Sequence, residues 1–148
     1  ELRVYYMNKI FILILFLILN SCSTFEKEKV ECPKLISPKK VAEIIANSEN
    51  NRPVYIGFRG VETFCFKDGN NIDMEILVNI RAIRNDTTIE DYVPVNIMIV
   101  SMDLNEKEFD RDEFNYSHFL LKGSKMVDRV TTFDLTVPNG GHVLLGIK

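Results

Sequence analysis

The sequence predicts a mainly β protein: an antiparallel β-sandwich of immunoglobulin-like or fibronectin-like kind with one short N-terminal helix. Three observations carry that prediction. From Ile72 to Ala82 apolar residues alternate with polar ones, the period of a strand with one face in a core. Further short runs rich in β-branched and aromatic residues bring the expected total to about seven or eight strands, the number a sandwich of this size needs. Turn signals such as Asp68-Gly69-Asn70-Asn71 and Asn139-Gly140 separate them.

The first element is not part of that domain. Ile10 to Leu19 reads IFILILFLIL, ten apolar residues between Lys9 and Asn20-Ser21-Cys22. A membrane-spanning helix needs about 20, whereas a secretory signal has a short charged start, a brief apolar core and a small residue before the cut. Met7 is therefore expected to be the initiator, with residues 1–6 an upstream translation artefact and residues 7–21 a signal peptide. Leu19-Asn20-Ser21-Cys22 resembles the lipobox of bacterial lipoproteins. That resemblance implies cleavage before Cys22 and acylation of Cys22 on sulfur and on its new amino terminus, and two or more acyl chains anchor a protein stably to a membrane.

Residues 22–31 are polar and aperiodic and read as a lipidated tether, leaving 32–148 as the folded domain. Ser37 is placed as an N-cap and Pro38 as a first helical residue. Val41, Ile44 and Ile45 share a face, so a helix is expected from about Pro38 to Asn47. Lys39 and Lys40 oppose its dipole, so packing must hold it. Val54 to Phe58 and Val61 to Phe66 read as strand, with Gly57 and Gly60 marking a bend or bulge. The strand from Ile72 to Ala82 follows, then another from Val93 to Met102, with Pro94 near its start. Asp103 to Glu113 reads as a turn and an exposed edge strand, and Phe114 to Leu121 as aromatic strand. Lys122-Gly123-Ser124-Lys125 turns the chain. Phe133 to Val137 and His142 to Ile147 then read as a hairpin about Asn139-Gly140.

Removing residues 1–21 leaves 16 basic against 20 acidic residues, a net charge of −4 with histidine neutral. A mildly acidic chain does not draw nucleic acid or anionic lipid by long-range attraction, so membrane contact is expected through the lipid on Cys22 alone. With Cys22 acylated, Cys32 and Cys65 form an even pair in an exported protein, for which a disulfide is the natural reading. Two other readings are weaker. A zinc site would lack ligands, because the chain holds two histidines and no CxxC, and a redox pair is normally closely spaced.

Cys32-Pro33, Cys65, a strand ending in Arg84, and the ending Leu145-Gly146-Ile147 resemble a family of small uncharacterised envelope lipoproteins of Gram-negative bacteria. The resemblance covers most of 22–148. It implies a disulfide-bridged β domain on an outer-membrane anchor, facing the periplasm, and brings no known reaction.

Catalytic motifs are absent from the sequence. It holds no GxSxG, HExxH, GxxxxGK[ST] or GxGxxG, and His118 and His142 have no nucleophile motif beside them. Asp103, Glu106, Glu108, Asp110, Asp112 and Glu113 form the densest charged cluster. Counted as a calcium loop from Asp110, it puts Asn115 where glycine is required and Leu121 where glutamate is. Solvated protection of an edge strand is the favoured explanation, and the same cluster is the candidate contact surface for a partner. The expected function is that of a non-enzymatic, membrane-anchored envelope lipoprotein that binds another protein or supports an assembly, with no cofactor. A periplasmic small-ligand or metal binder is the alternative, and an undetected hydrolase the third reading.

Overall fold

The computed structural model describes residues 26–148; the signal segment, Met7 and Cys22 lie outside them. Eight strands form two four-stranded sheets. In chain order they are β1 (Leu35–Ile36), β2 (Glu43–Asn47), β3 (Pro53–Asp68), β4 (Asn71–Ile83), β5 (Asp91–Met102), β6 (Glu108–Leu120), β7 (Met126–Pro138) and β8 (His142–Ile147). One sheet has the order β2-β3-β4-β7 and the other β1-β8-β5-β6. All neighbours are antiparallel except the short β1–β8 pair.

The alternation in β4 does what its period requires. Met74, Ile76, Val78, Ile80 and Ala82 are buried while Asp73, Glu75 and Arg81 point outward. They meet Val93, Val95, Ile97 and Ile99 of β5, Phe133, Leu135 and Val137 of β7, and Val143, Leu145 and Ile147 of β8 in one core between the sheets. Each fully buried side chain of this size contributes about 1.5 to 3 kcal/mol of transfer free energy, which is why the inward rows are almost unbroken aliphatic.

Three expectations need correction. The helix expected over Pro38 to Asn47 is a single turn, α1 (Lys39–Ala42), and its second half is strand β2. Ile44 and Ala46 turn toward the core while Glu43, Ile45 and Asn47 point outward, so the period is two. Pairing with β3 gives this segment backbone partners along its length, which a helix with two lysines at its positive end and no side-chain cap cannot match. Ser37 does not cap it, because its Oγ donates to the Leu145 carbonyl 2.9 Å away.

The two segments expected around Gly57 and Gly60 are one strand, β3, with its register against β4 shifted between Phe58 and Gly60, which is the bulge the glycines signalled. The C-terminal pair is not a hairpin: β7 lies beside β4 and β8 beside β5, so the turn Asn139–Gly141 arches from one sheet to the other. Gly140 has φ +76°, and a Cβ on Gly141 would sit 2.3 Å from the Met102 carbonyl oxygen, so this crossing is built for glycine.

The three turns β3–β4, β5–β6 and β7–β8 cluster at one end of the sandwich, here the proximal end. The segments 48–52, 84–90 and 121–125 cluster at the other, distal, end.

Candidate functional site

The N-terminal arm is ordered well before the expected domain boundary at Cys32. Lys29 pairs antiparallel with Phe66, the Val30 amide donates to the Cys65 carbonyl at 3.0 Å, and the Lys67 amide donates to the Glu28 carbonyl at 2.8 Å. Glu28 to Val30 thus occupy the edge of β3 that the five-residue β2 leaves open. Lys27 Nζ reaches across to Asp73 at 2.8 Å. Cys32 and Cys65 then form the disulfide, with Cα atoms 5.3 Å apart and Cys65 buried. The arm is stapled to the sheet by backbone, charge and covalent bond within a few residues.

The acidic segment is divided by the structure into two kinds of side chain. Asp103, Asp110 and Asp112 are half-buried and hydrogen-bond to backbone, whereas Glu106, Glu108 and Glu113 are exposed. Asp103 Oδ1 accepts from the amides of Asn105 and Lys107, shaping the β5–β6 turn in which Glu106 takes φ 61°. β6 is an edge strand. The carboxylate of Asp110 accepts from the Arg111 amide at 2.9 Å and that of Asp112 from the Glu113 amide at 2.8 Å. These acids satisfy backbone donors along an edge that would otherwise recruit another strand. Asp110 goes further: its second oxygen accepts from the Thr136 amide of β7 at 2.8 Å, so one carboxylate joins the edges of both sheets. Ser101 Oγ donates to the Thr136 carbonyl beside it. Glu108 pairs with Arg111, which holds its carboxyl below the usual range.

Farther along the same seam His118 is fully buried. One ring nitrogen, Nε2, lies 3.0 Å from the Val127 carbonyl, and Nδ1 lies 3.0 Å from the Tyr116 hydroxyl. The carbonyl can only accept, so Nε2 carries the proton and the Tyr116 hydroxyl donates to Nδ1. Burial lowers the pKa of His118 and raises that of Tyr116 to about 12, and the Arg129 guanidinium stacks 4.4 Å from the Tyr116 ring centre. His142 begins β8 in the same sheet, at the proximal end, 3.5 Å from Glu106. The two histidines are not brought together.

At the distal end Arg84 and Asp91, both buried, organise the loops. Arg84 donates to the carbonyls of Ile89, Leu120, Leu121 and Ser124 at 2.7 to 3.3 Å. Burial pushes the Asp91 carboxyl up, but hydrogen bonds from Ser48, the Tyr92 amide and Asn50 outweigh it and leave the pKa lowered. Arg52 pairs with Asp86 beside them, over a small cavity of about 270 Å³. Spacing alone does not mark these residues. The only sequence signal was the position of Arg84 at the end of a strand.

One depression is apolar. Pro38, Val41, Met98, Val100 and Leu144, with Lys148 at the rim, line a groove of about 360 Å³ on the outer face of the β1-β8-β5-β6 sheet. Among the described residues no group of three or more His, Cys, Asp or Glu side chains is placed to hold a metal ion, and no helix is long and apolar enough to cross a membrane. No family model, curated protein or solved structure matches this chain.

Proposed function

We propose that the chain is a lipid-anchored envelope lipoprotein, held by Cys22 on the periplasmic face of the outer membrane, whose sandwich binds another protein or supports an assembly without catalysing a reaction. The observation that carries this reading is the stapled arm. A disulfide ten residues after the lipobox-like cysteine belongs in an oxidising compartment, and it fixes a strand sandwich directly behind the anchor. The groups best suited to chemistry are engaged in structure: His118 bonds to Val127 and Tyr116, and Asp91 to the loop around Asn50. The immunoglobulin-like or fibronectin-like comparison is kept for the two-sheet architecture with loops gathered at its ends. The strand order is different from the immunoglobulin constant type, because β2, β3 and β4 lie side by side in one sheet.

Labelling cells with a fatty-acid analogue tests the anchor. The Cys22→Ala protein should lose both the label and its sedimentation with membranes, and retention of both would refute the reading. Crosslinking in intact membranes and identification of the co-purified chain would supply the partner.

The apolar groove favours one second reading, capture of a small apolar ligand. Leu144→Asp would then abolish binding of an apolar fluorescent probe that the parent protein binds, and failure of the parent to bind such probes would remove this alternative.

A further inference from the structure

We infer that the proximal end of the sandwich is held against a layer of zwitterionic phospholipid headgroups, with Leu104 at the point of contact, and that the distal end is the one turned away from the membrane. This rests on the lipid-anchor reading above and adds an orientation to it.

The direction of the arm decides which end is near. Glu28 bonds to Lys67 and Val30 to Cys65, so residue numbers fall toward the β3–β4 turn and the chain enters the domain at its proximal extremity. Only Ser23, Thr24 and Phe25 separate Cys22 from Glu26. Fully extended, that connection spans at most about 14 Å. A strand of 13 residues such as β4 is about 43 Å long, so the distal loops cannot reach a bilayer that holds Cys22 while the proximal turns remain clear of it. The staple fixes the point at which the chain leaves the domain, because the Lys27 ion pair, the backbone pairing and the disulfide hold the arm against the sheet.

The chemistry of the proximal end fits the surface it would meet. Its lysines Lys27, Lys67 and Lys107 stand among Glu28, Asp68, Asp73, Asp103 and Glu106, with the pairs Lys27–Asp73 and Lys67–Glu28 already formed. A mixed, slightly acidic surface suits headgroups that carry both signs and gains nothing from anionic lipid. At its tip Leu104 is 76% exposed, with its side chain beside Gly140 of the β7–β8 turn. The acidic segment from Asp103 to Glu113 therefore begins at the membrane side, and the loops tied by Arg84 and Asp91 are presented about 40 Å away, where a partner has free access.

The chain contains no tryptophan, so a single introduced one reports its own position. The lipidated full-length Leu104→Trp protein is bound to phosphatidylcholine vesicles with brominated acyl chains, and the distal Leu121→Trp protein is treated in parallel. Fluorescence of the Leu104→Trp protein should be quenched at least twofold more than that of Leu121→Trp. Equal quenching, or stronger quenching of Leu121→Trp, in proteins that do sediment with the vesicles overturns the orientation alone. Failure to sediment, or sedimentation that survives Cys22→Ala, overturns the anchor reading and the orientation with it.

Discussion

Asp110 holds two strand edges with one carboxylate, and the strength of that clasp can be measured. It accepts one amide from its own strand and one from β7 in a half-buried position. Removing it leaves the Thr136 amide without that acceptor, so Asp110→Ala is expected to cost about 1 to 2 kcal/mol, a fall of roughly 4 to 8 °C in melting temperature. Asp112→Ala, which frees only a local amide, should cost less. Equal melting of Asp110→Ala and the parent would show that the seam does not depend on it. His118 gives a pH signature. Its pKa in the folded chain is depressed by burial and, less, by Arg129, so the unfolded chain binds the proton more readily. Stability is complete above the unfolded value of about 6.5 and is lost as pH falls through the lower folded value. His118→Phe should be less stable at pH 8 yet decline less between pH 6.5 and 5, as read from urea midpoints. Parallel declines in the two proteins would rule His118 out as the group responsible.

At the scale of elements, the β5–β6 turn stores a small amount of strain. Glu106 takes a left-handed conformation that glycine adopts freely, so Glu106→Gly should raise stability by about 0.5 to 1 kcal/mol, and a lower melting temperature would contradict this. Which elements were legible follows from how much of their information is local. β4 was readable because every second residue faces one core, and β3 announced its bulge through two glycines. The segment from Val41 to Asn47 was not, because Val41, Ile44 and Ile45 match a helical face while Ile44 and Ala46 match a strand face; a neighbouring strand edge decides between them. Asn139-Gly140 marks a turn but carries no information about which sheet the next strand joins. The cysteine pair was legible from its even count and the expectation of export. The bonds of Arg84 were not, since its acceptors at Leu120, Leu121 and Ser124 are carbonyls 36 to 40 residues away, which no side-chain pattern records.

For the whole molecule the largest single restraint is the disulfide, which closes a loop between residues 33 positions apart. In the chain-entropy description that is worth about 3 to 4 kcal/mol, a substantial part of the stability of a domain this size. Reduction should lower the melting temperature by roughly 10 °C or more. The arm should also become the first site of proteolysis, since it would then be held by a short run of backbone pairing and two largely exposed ion pairs. Cleavage elsewhere first would mean that the arm is not the least stable part.

The extra residue in β3 has a reach beyond its own strand. Before it, the even-numbered Val54, Ile56 and Phe58 face the interior; after it, the odd-numbered Val61, Thr63 and Cys65 do. The insertion thus acts as a phase shift in the counting of faces: the chain gains one residue there and neither half of the strand changes the side it presents to the core. Deleting Arg59 would give the whole strand a single parity with Val61, Thr63 and Cys65 still on the core side, so that Cys65 would still meet Cys32. Such a protein, made under oxidising conditions, should keep Cys32 and Cys65 protected from alkylation until it is reduced, and free thiols at both positions would show that the two halves of the strand do not share one face.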